Sequence, residues 1–494
     1  MPKQFVLIMT DTQRLDMVSC YEDVGVKTPC IDALAKDGVK FTKAYTTQPV
    51  CGPARSALFT GQFPCINGGF ANCNAPALNV KSIGQRLSDR GILTGYIGKW
   101  HLDGGDYFGL GTAPQGWDKD TWYDMRNYLE ELTEEERVKS RRTETMDTED
   151  IPSDFTFAHR CADRAVEFIR KHRDEDYFLV VSFDEPHGPS LCPQPYASMY
   201  RDYEMPKRPN VFDTLEEKPP HQQVWAGHRR ALDREALRLS APALFGCNSF
   251  VDSQVGRVVA ALDEAEVPPA VLYTSDHGDM LESHCLYAKG PAAYEEICHI
   301  PLILRGCGQG VVDTPVSHID VAATVWDYFG LGKKPMMLQG DSLLGLTQGE
   351  APRSRDVFIE FGRYETDHDG FGGFQPMRCI FDGRYKLAVN LLSSDELYDL
   401  EQDPYEMVNR IEDEGLAEIR DSLMERLLEH MNQIRDPFRG YCWETRPWYK
   451  KAVRPTWDYT GYTRQREELD YEKPQLDYGT GLVPQQLTRI KEKL

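Results

Sequence analysis

No stretch of this chain is apolar for long enough to cross a membrane. The early run Phe5 to Met9 is too short even for a secretion leader, and no charged region and cleavage site frame it. Internal repeats and low-complexity tracts are missing too, which excludes a repeat architecture. Positive charge is scarce: 56 Lys and Arg face 78 Asp and Glu, for a formal net charge of −22. That balance argues against nucleic acid and acidic membrane surfaces as partners. If such a chain binds an anion, it has to gather Lys, Arg, His and a divalent metal in one pocket. The 13 cysteines are odd in number and irregularly spaced, so they form no disulfide framework and are expected to be free thiols of a reducing cytoplasm. A leader removed on maturation would leave no mark on such a sequence. What is present is length, 494 residues at 41% hydrophobic, ample for one large α/β domain and a smaller one.

The chain is organised around Cys51-Gly52-Pro53-Ala54-Arg55-Ser56-Ala57-Leu58-Phe59-Thr60-Gly61. Thr47-Gln48-Pro49-Val50 approaches as a loop, Pro53 suits a first helical turn, and Gly61 is a helix stop. A helix starting here surrounds the Cys51 side chain with free N–H groups and the positive end of the helix dipole, with Arg55 one turn on along the same face. This describes an anion site holding a reactive atom, to be set against a buried structural cysteine before a helix. A tyrosine-phosphatase-type loop needs its Arg where Ala57 stands. A zinc site needs a second Cys or His close by, and neither is there. The remaining pattern, Cys-x-Pro-x-Arg followed by Ser56 and the Leu-Phe-Thr-Gly tail, resembles the signature of the type I sulfatases, in which the Cys is oxidised to formylglycine after translation.

Other stretches can be read beside that motif. Gln4 to Thr10 is a nearly continuous apolar run ending at Asp11, the pattern of a buried parallel strand that delivers a carboxylate at its C-terminal end, where ligands bind in open α/β sheets. A helix cap is the plainer reading of that Asp. Sulfatases usually carry two adjacent acids here. Thr12 and Gln13 stand at the following positions instead, a departure similar to the related phosphonate monoester hydrolases. Val39 to Tyr45 reads as a second strand. Leu93 to Ile97 reads as a strand ending in Gly98-Lys99-Trp100-His101, where a Lys and a His two apart in extended chain point to one side. Phe178 to Phe183 ends in Asp184-Glu185-Pro186-His187, and Ala270 to Ser275 in Asp276-His277-Gly278-Asp279. Lys289 follows in Tyr287-Ala288-Lys289-Gly290.

Helical patterns at Ile31 to Ala35, Val80 to Leu87, Cys161 to His172, Ala243 to Leu262 and His318 to Leu331 alternate with these strands, as a doubly wound sheet requires. Asp118 to Asp154 is charged and aperiodic, an insertion over the site or a solvated helix. Residues 190–235 read as a long loop region on the substrate side. Short strands follow at Asp356 to Phe361, Met377 to Phe381, Tyr385 to Val389 and Glu396 to Leu400, with a hairpin turn at Asp382-Gly383 and a helix from Ala417 to Gln433. The sequence therefore divides into a catalytic domain over 1–354, a C-terminal α+β subdomain over 355–435 and an irregular arm over 436–494. The arm, with Trp443, Trp448 and Trp457, is expected to lie on its own body or to join a second copy of the chain.

The resemblance runs roughly from residue 4 to 435. It implies an alkaline-phosphatase-like fold: a mixed, mostly parallel sheet sandwiched by helices, with a smaller C-terminal domain of antiparallel sheet plus helix. It also implies hydrolysis of a carbohydrate or aryl sulfate ester, or of a phosphonate monoester or phosphodiester by the same formylglycine chemistry. Asp11, Asp276, His277 and the modified Cys51 would be metal ligands, with Thr12 as a further position. All-oxygen sites suit Ca²⁺ and an imidazole shifts preference toward Mn²⁺. Arg55 would hold the hydrated formylglycine, Lys99 and Lys289 would neutralise the sulfate, His187 would protonate the leaving alcohol, and His101 would act as the later base. A formylglycine-generating maturation enzyme is the implied protein partner.

Overall fold

Every side chain of β1 (Gln4–Asp11) is buried, as a strand covered on both faces requires. Its period of two sends Val6 and Ile8 into a layer with Phe250, Val251 and Val255 of the helix Pro242–Leu262 and with Ala162 and Ala165 of the helix Phe157–Lys171. Phe5, Leu7 and Met9 face the opposite layer, among Leu58 and Phe59 of the helix Cys51–Thr60 and Val321 and Val325 of the helix Ile319–Tyr328. Helices therefore cover both faces of the sheet. The structure, a computed structural model, describes residues 2–105, 107–148, 150–350, 355–365, 374–451, 476 and 481–482.

The remaining strands of this part are β2 (Gly38–Phe41), β3 (Ala44–Tyr45), β4 (Leu93–Gly98), β5 (Tyr177–Pro186), β6 (Ala270–Ser275), β7 (Leu302–Arg305), β8 (Gly310–Val312) and β9 (Val316–Ser317). Six of them join β1 in one seven-stranded sheet in the order β4-β5-β1-β6-β7-β2-β8. β4, β5, β1 and β6 are mutually parallel; β7 runs antiparallel to both β6 and β2, and β8 pairs parallel with β2. The carboxyl ends of β4, β5, β1 and β6 consequently emerge together.

The expected strand from Val39 to Tyr45 is broken. Thr42 Oγ1 and Lys43 Nζ both turn to Asp313, at 2.5 and 2.8 Å, and the chain leaves the main sheet so that β3 pairs with β9. In the charged stretch after Asp118 the helix Glu134–Lys139 buries no side chain. The segment behind it is tied inward, where Thr143 Oγ1 donates to Pro189 O at 2.7 Å. Among the described residues no helix is long and apolar enough to cross a membrane.

The C-terminal part is an antiparallel sheet of β10 (Val357–Phe361), β11 (Met377–Phe381), β12 (Tyr385–Asn390) and β13 (Glu396–Asp399). Between β11 and β12, Asp382 Oδ1 accepts from the N–H groups of Arg384 and Tyr385. The helix Ala417–Gln433 lays Leu423, Leu427, Leu428 and Met431 on Ile380, Leu387, Val389 and Leu397. The chain beyond 435 closes this layer: Trp443 is fully buried, its Nε1 donates to Phe438 O at 2.9 Å, and Arg378 of β11 grips Asp436. Trp457 lies outside the described residues. Removing the indole in Trp443→Ala should lower unfolding stability by about 3–5 kcal/mol, the range for deleting a buried aromatic. A denaturant titration that shows almost no change would mean that this segment does not complete the core. Lys386 of β12 reaches the larger part, donating to Ala293 O at 2.8 Å and to Glu295 at 2.6 Å.

Candidate active site

Cys51 is the first residue of its helix, whose ten residues are all buried. Gly61 ends the helix in the left-handed region at φ 66°. Gly52 packs closely: a β-carbon there would lie 3.0 Å from Asn72 O, while the Gly52 N–H donates to Asn72 Oδ1 at 2.9 Å. Gly98, at φ 120°, closes β4 so tightly that a β-carbon would lie 1.9 Å from Ser182 O. This close approach delivers Lys99 beside the end of β5.

Asp11 and Asp276 meet because β1 and β6 are neighbours in register, with Thr10 opposite Ser275. Arg55 bridges the two acids, donating from Nε to Asp276 Oδ2 at 3.0 Å and from Nη2 to Asp11 Oδ2 at 3.1 Å. Its other nitrogen donates to Lys99 O and Ser182 Oγ at 2.7 and 2.8 Å. His277 Nε2 lies 3.2 Å from Cys51 Sγ, 3.6 Å from Asp276 Oδ1 and 3.9 Å from Asp11 Oδ1. Ligand-capable atoms of Asp11, Cys51, Asp276 and His277 all fall within 4.8 Å of one another.

Two observations fit a divalent cation at this cluster. His277 Nδ1 lies 2.8 Å from Gly278 O, a contact that holds the ring with Nε2 facing Cys51 and the two acids, the orientation of ligating histidines. Burial, and after it the charge of Asp11, pushes Asp276 up to about 7. Two carboxylates in one dry site resist joint ionisation until a cation compensates them. Thr12, at φ 65°, donates its hydroxyl to Asp11 Oδ1 at 2.8 Å and its N–H to Asp276 Oδ1 at 3.2 Å. Gln13 is used elsewhere: Nε2 donates to Asn248 Oδ1 at 2.7 Å and Oε1 accepts from Tyr273, all within the core.

The cations gather opposite. Lys289 Nζ donates to Cys51 Sγ at 2.8 Å. Lys99 Nζ contacts Asp11 Oδ2 at 2.8 Å and Asp184 Oδ1 at 2.9 Å. Burial and Asp11 act to raise the Cys51 thiol, yet Lys289, Lys99 and His277 outweigh them and hold it well below its ordinary value. Burial likewise acts to raise Asp11, and Lys99, His187, Lys289 and Arg55 hold it well below the carboxylate range. The pocket thus stabilises negative charge at residue 51, in a chain that is acidic overall.

His101, at φ 55°, is buried and has its ring edge-on to Tyr107 at 4.9 Å. Burial lowers its pKa while the hydrogen bond with Cys51 acts to raise it. His187 is lowered by burial and by Lys99; its Nδ1 is 2.9 Å from Gly188 O and 3.2 Å from Tyr107 OH. Gln13 apart, the site residues singled out from the sequence therefore come together around Cys51 and Lys99. Sequence reasoning missed Tyr107, whose hydroxyl donates to Asp184 Oδ1 at 2.7 Å and accepts from Lys99 at 2.8 Å. It also missed Asn72 over the helix N-terminus. Tyr364, after β10, went unnoticed too, although Lys289 and Cys51 both act on its phenol. Only Asp184 lay inside a motif and could have been found there.

With this geometry in place, comparison with known proteins decides the family. The Sulfatase family model matches residues 3–331. The chain belongs to the sulfatase family. It is a sulfuric ester hydrolase by that membership, and a second model, the N-sulphoglucosamine sulphohydrolase C-terminal region, matches residues 283–433. The sulfatase YidJ of Escherichia coli is 44% identical over 99% of this chain and 98% of its own length. The choline-sulfatase of Rhizobium meliloti is 27% identical over 78% and 77%. The phosphonate monoester hydrolase of Agrobacterium radiobacter superposes with a TM-score of 0.70 at 22% identity, covering 88% of this sulfatase and 95% of that chain, and so shares the fold.

Proposed function

We propose that this sulfatase cleaves a carbohydrate or aryl sulfate ester with a nucleophile made from Cys51. The observation that carries this reading is Cys51 at a helix N-terminus, with Lys289 Nζ at 2.8 Å and His277 Nε2 at 3.2 Å inside one buried donor set. Oxidised to formylglycine and hydrated, residue 51 would supply an oxygen nucleophile, and a bound divalent cation, Ca²⁺ before Mn²⁺, would supply Lewis-acid polarisation there. Asp11, Asp276 and His277 would hold that cation together with residue 51, and Thr12 steadies Asp11.

The chain's own groups divide the remaining work. Arg55 fixes both acids and backs residue 51. Lys99 and Lys289 neutralise the sulfuryl oxygens as charge builds on them. His187 gives a proton to the departing alcohol oxygen, and Tyr107 and Gly188 O orient its ring. His101 then takes the proton of the second hydroxyl at residue 51, so that the C–O bond to sulfate breaks and the aldehyde returns. Maturation requires a formylglycine-generating enzyme, and a reducing compartment suits thirteen cysteines that do not pair with one another.

The same groups could process a phosphonate monoester or phosphodiester. His277, a nitrogen donor beside two acids, favours this second reading, whereas Gln13 lends it nothing because its amide is bound in the core. Mass spectrometry of the peptide spanning residue 51 should find the aldehyde in the active fraction. Parallel assays on an aryl sulfate and a phenylphosphonate monoester should show the sulfate turned over faster. Full activity in a preparation carrying only unmodified Cys51 would remove the nucleophile, and a faster phosphonate reaction would reverse the order of the two readings.

A further inference from the structure

Arg141 lies in the segment after the helix Glu134–Lys139, fastened beside the His187 loop. Thr143 donates to Pro189 O, and the Cys192 N–H meets Met146 Sδ at 3.3 Å. The half-buried Arg141 holds its guanidinium 5.2 Å from the centre of the Phe108 ring and 6.0 Å from that of Tyr107. Among the described residues it has no carboxylate partner and no hydrogen-bond acceptor, although acids outnumber bases 78 to 56. Its charge adds a small pull on Asp184, which Lys99 and His187 already hold low against burial, and on Glu185, which burial and Asp184 push up to about 7, without pairing with either. Asp184 is already taken by Lys99 and Tyr107, and Glu185 Oε1 accepts from the Ala158 N–H. An aromatic shelf of this kind fixes the plane of a guanidinium and leaves its five donors open.

Arg141, Asp184 and His187 line one cavity. Arg141 therefore shares its cavity with His187, on the side where His187 would meet the departing alcohol. We propose that Arg141 anchors a second anionic group, a carboxylate or another sulfate ester, carried on the alcohol part of the substrate. This deepens the sulfate ester reading and rests on the role given there to His187. The substrate class is then a doubly anionic ester, such as an acidic or multiply sulfated saccharide. A cationic alcohol would meet repulsion from the same guanidinium.

The test uses matched pairs of esters: aryl sulfates with and without a ring carboxylate, and hexosamine sulfates carrying one or two sulfate groups. Wild-type enzyme should prefer the doubly anionic member of at least one pair, and the responding pair tells carboxylate from sulfate. Arg141→Gln should reduce that preference about tenfold or more, chiefly through KM, because a charge-assisted contact is lost. Arg141→Lys should keep part of it. A wild-type enzyme without preference in either pair would overturn the proposal, and that measurement does not depend on any variant folding. Equal losses on both members of a pair in Arg141→Gln would overturn it too, since they would mark a structural role. Absence of turnover on every ester would instead overturn the sulfate ester reading, and this anchor with it.

Discussion

Asp276→Asn should empty the cation site and reduce turnover by several orders of magnitude. Asn is the informative replacement because Ala would leave Arg55 Nε, now 3.0 Å from Asp276 Oδ2, buried without an acceptor and would mix a folding defect into the result. Loss of outer-shell partners alone typically costs about ten- to a hundredfold in metal affinity or activity, and a charged ligand counts for more. Elemental analysis of purified protein decides the matter together with a rate. A variant retaining both metal and rate would place the site elsewhere. The pH dependence carries a second sign. Since Asp276 without a cation titrates at about 7, the cation must displace a proton below that pH. Affinity should therefore fall on acidification through 7, by about tenfold per pH unit for one proton, and level off above it. Affinity that stays flat across this range would show that Asp276 is already ionised without the metal.

The two histidines should separate by leaving group. If His187 protonates the departing oxygen, His187→Ala should harm alkyl sulfates far more than nitrophenyl sulfates, whose phenolate leaves unaided; general-acid help is worth roughly 10²- to 10⁴-fold where the proton is needed. His101 acts after that bond is broken. His101→Ala should slow both substrate classes to one common low rate and leave a sulfuryl group attached at residue 51, visible in the intact mass. Equal losses for both leaving groups in His187→Ala, with no adduct in His101→Ala, would exchange or cancel these assignments. Tyr107 offers a control on the same geometry. Its hydroxyl joins Lys99, Asp184 and His187, so any change at His187 should be read against the state of that cluster.

Much of this protein was determined by short-range pattern. Apolar runs ending in Asp11, Gly98-Lys99, Asp184 and Asp276 are legible because a strand buried on both faces tolerates few polar residues and its end is where they return. The spacing within Cys51-x-Pro-x-Arg55 is legible because a helix start constrains its first turn locally. The break between β2 and β3 was not, since it depends on Asp313, some 270 residues away, receiving Thr42 and Lys43. The family resemblance put Asp11 and Asp276 in one site, but their bridging by Arg55 was not legible: that contact exists because β1 lies between β5 and β6, and strand order is a property of the whole sheet. Tyr107 and Arg141 come from aperiodic stretches with no motif to mark them. Only folding brings their side chains over Lys99 and His187, where a hydroxyl and an unpaired guanidinium acquire meaning from what surrounds them.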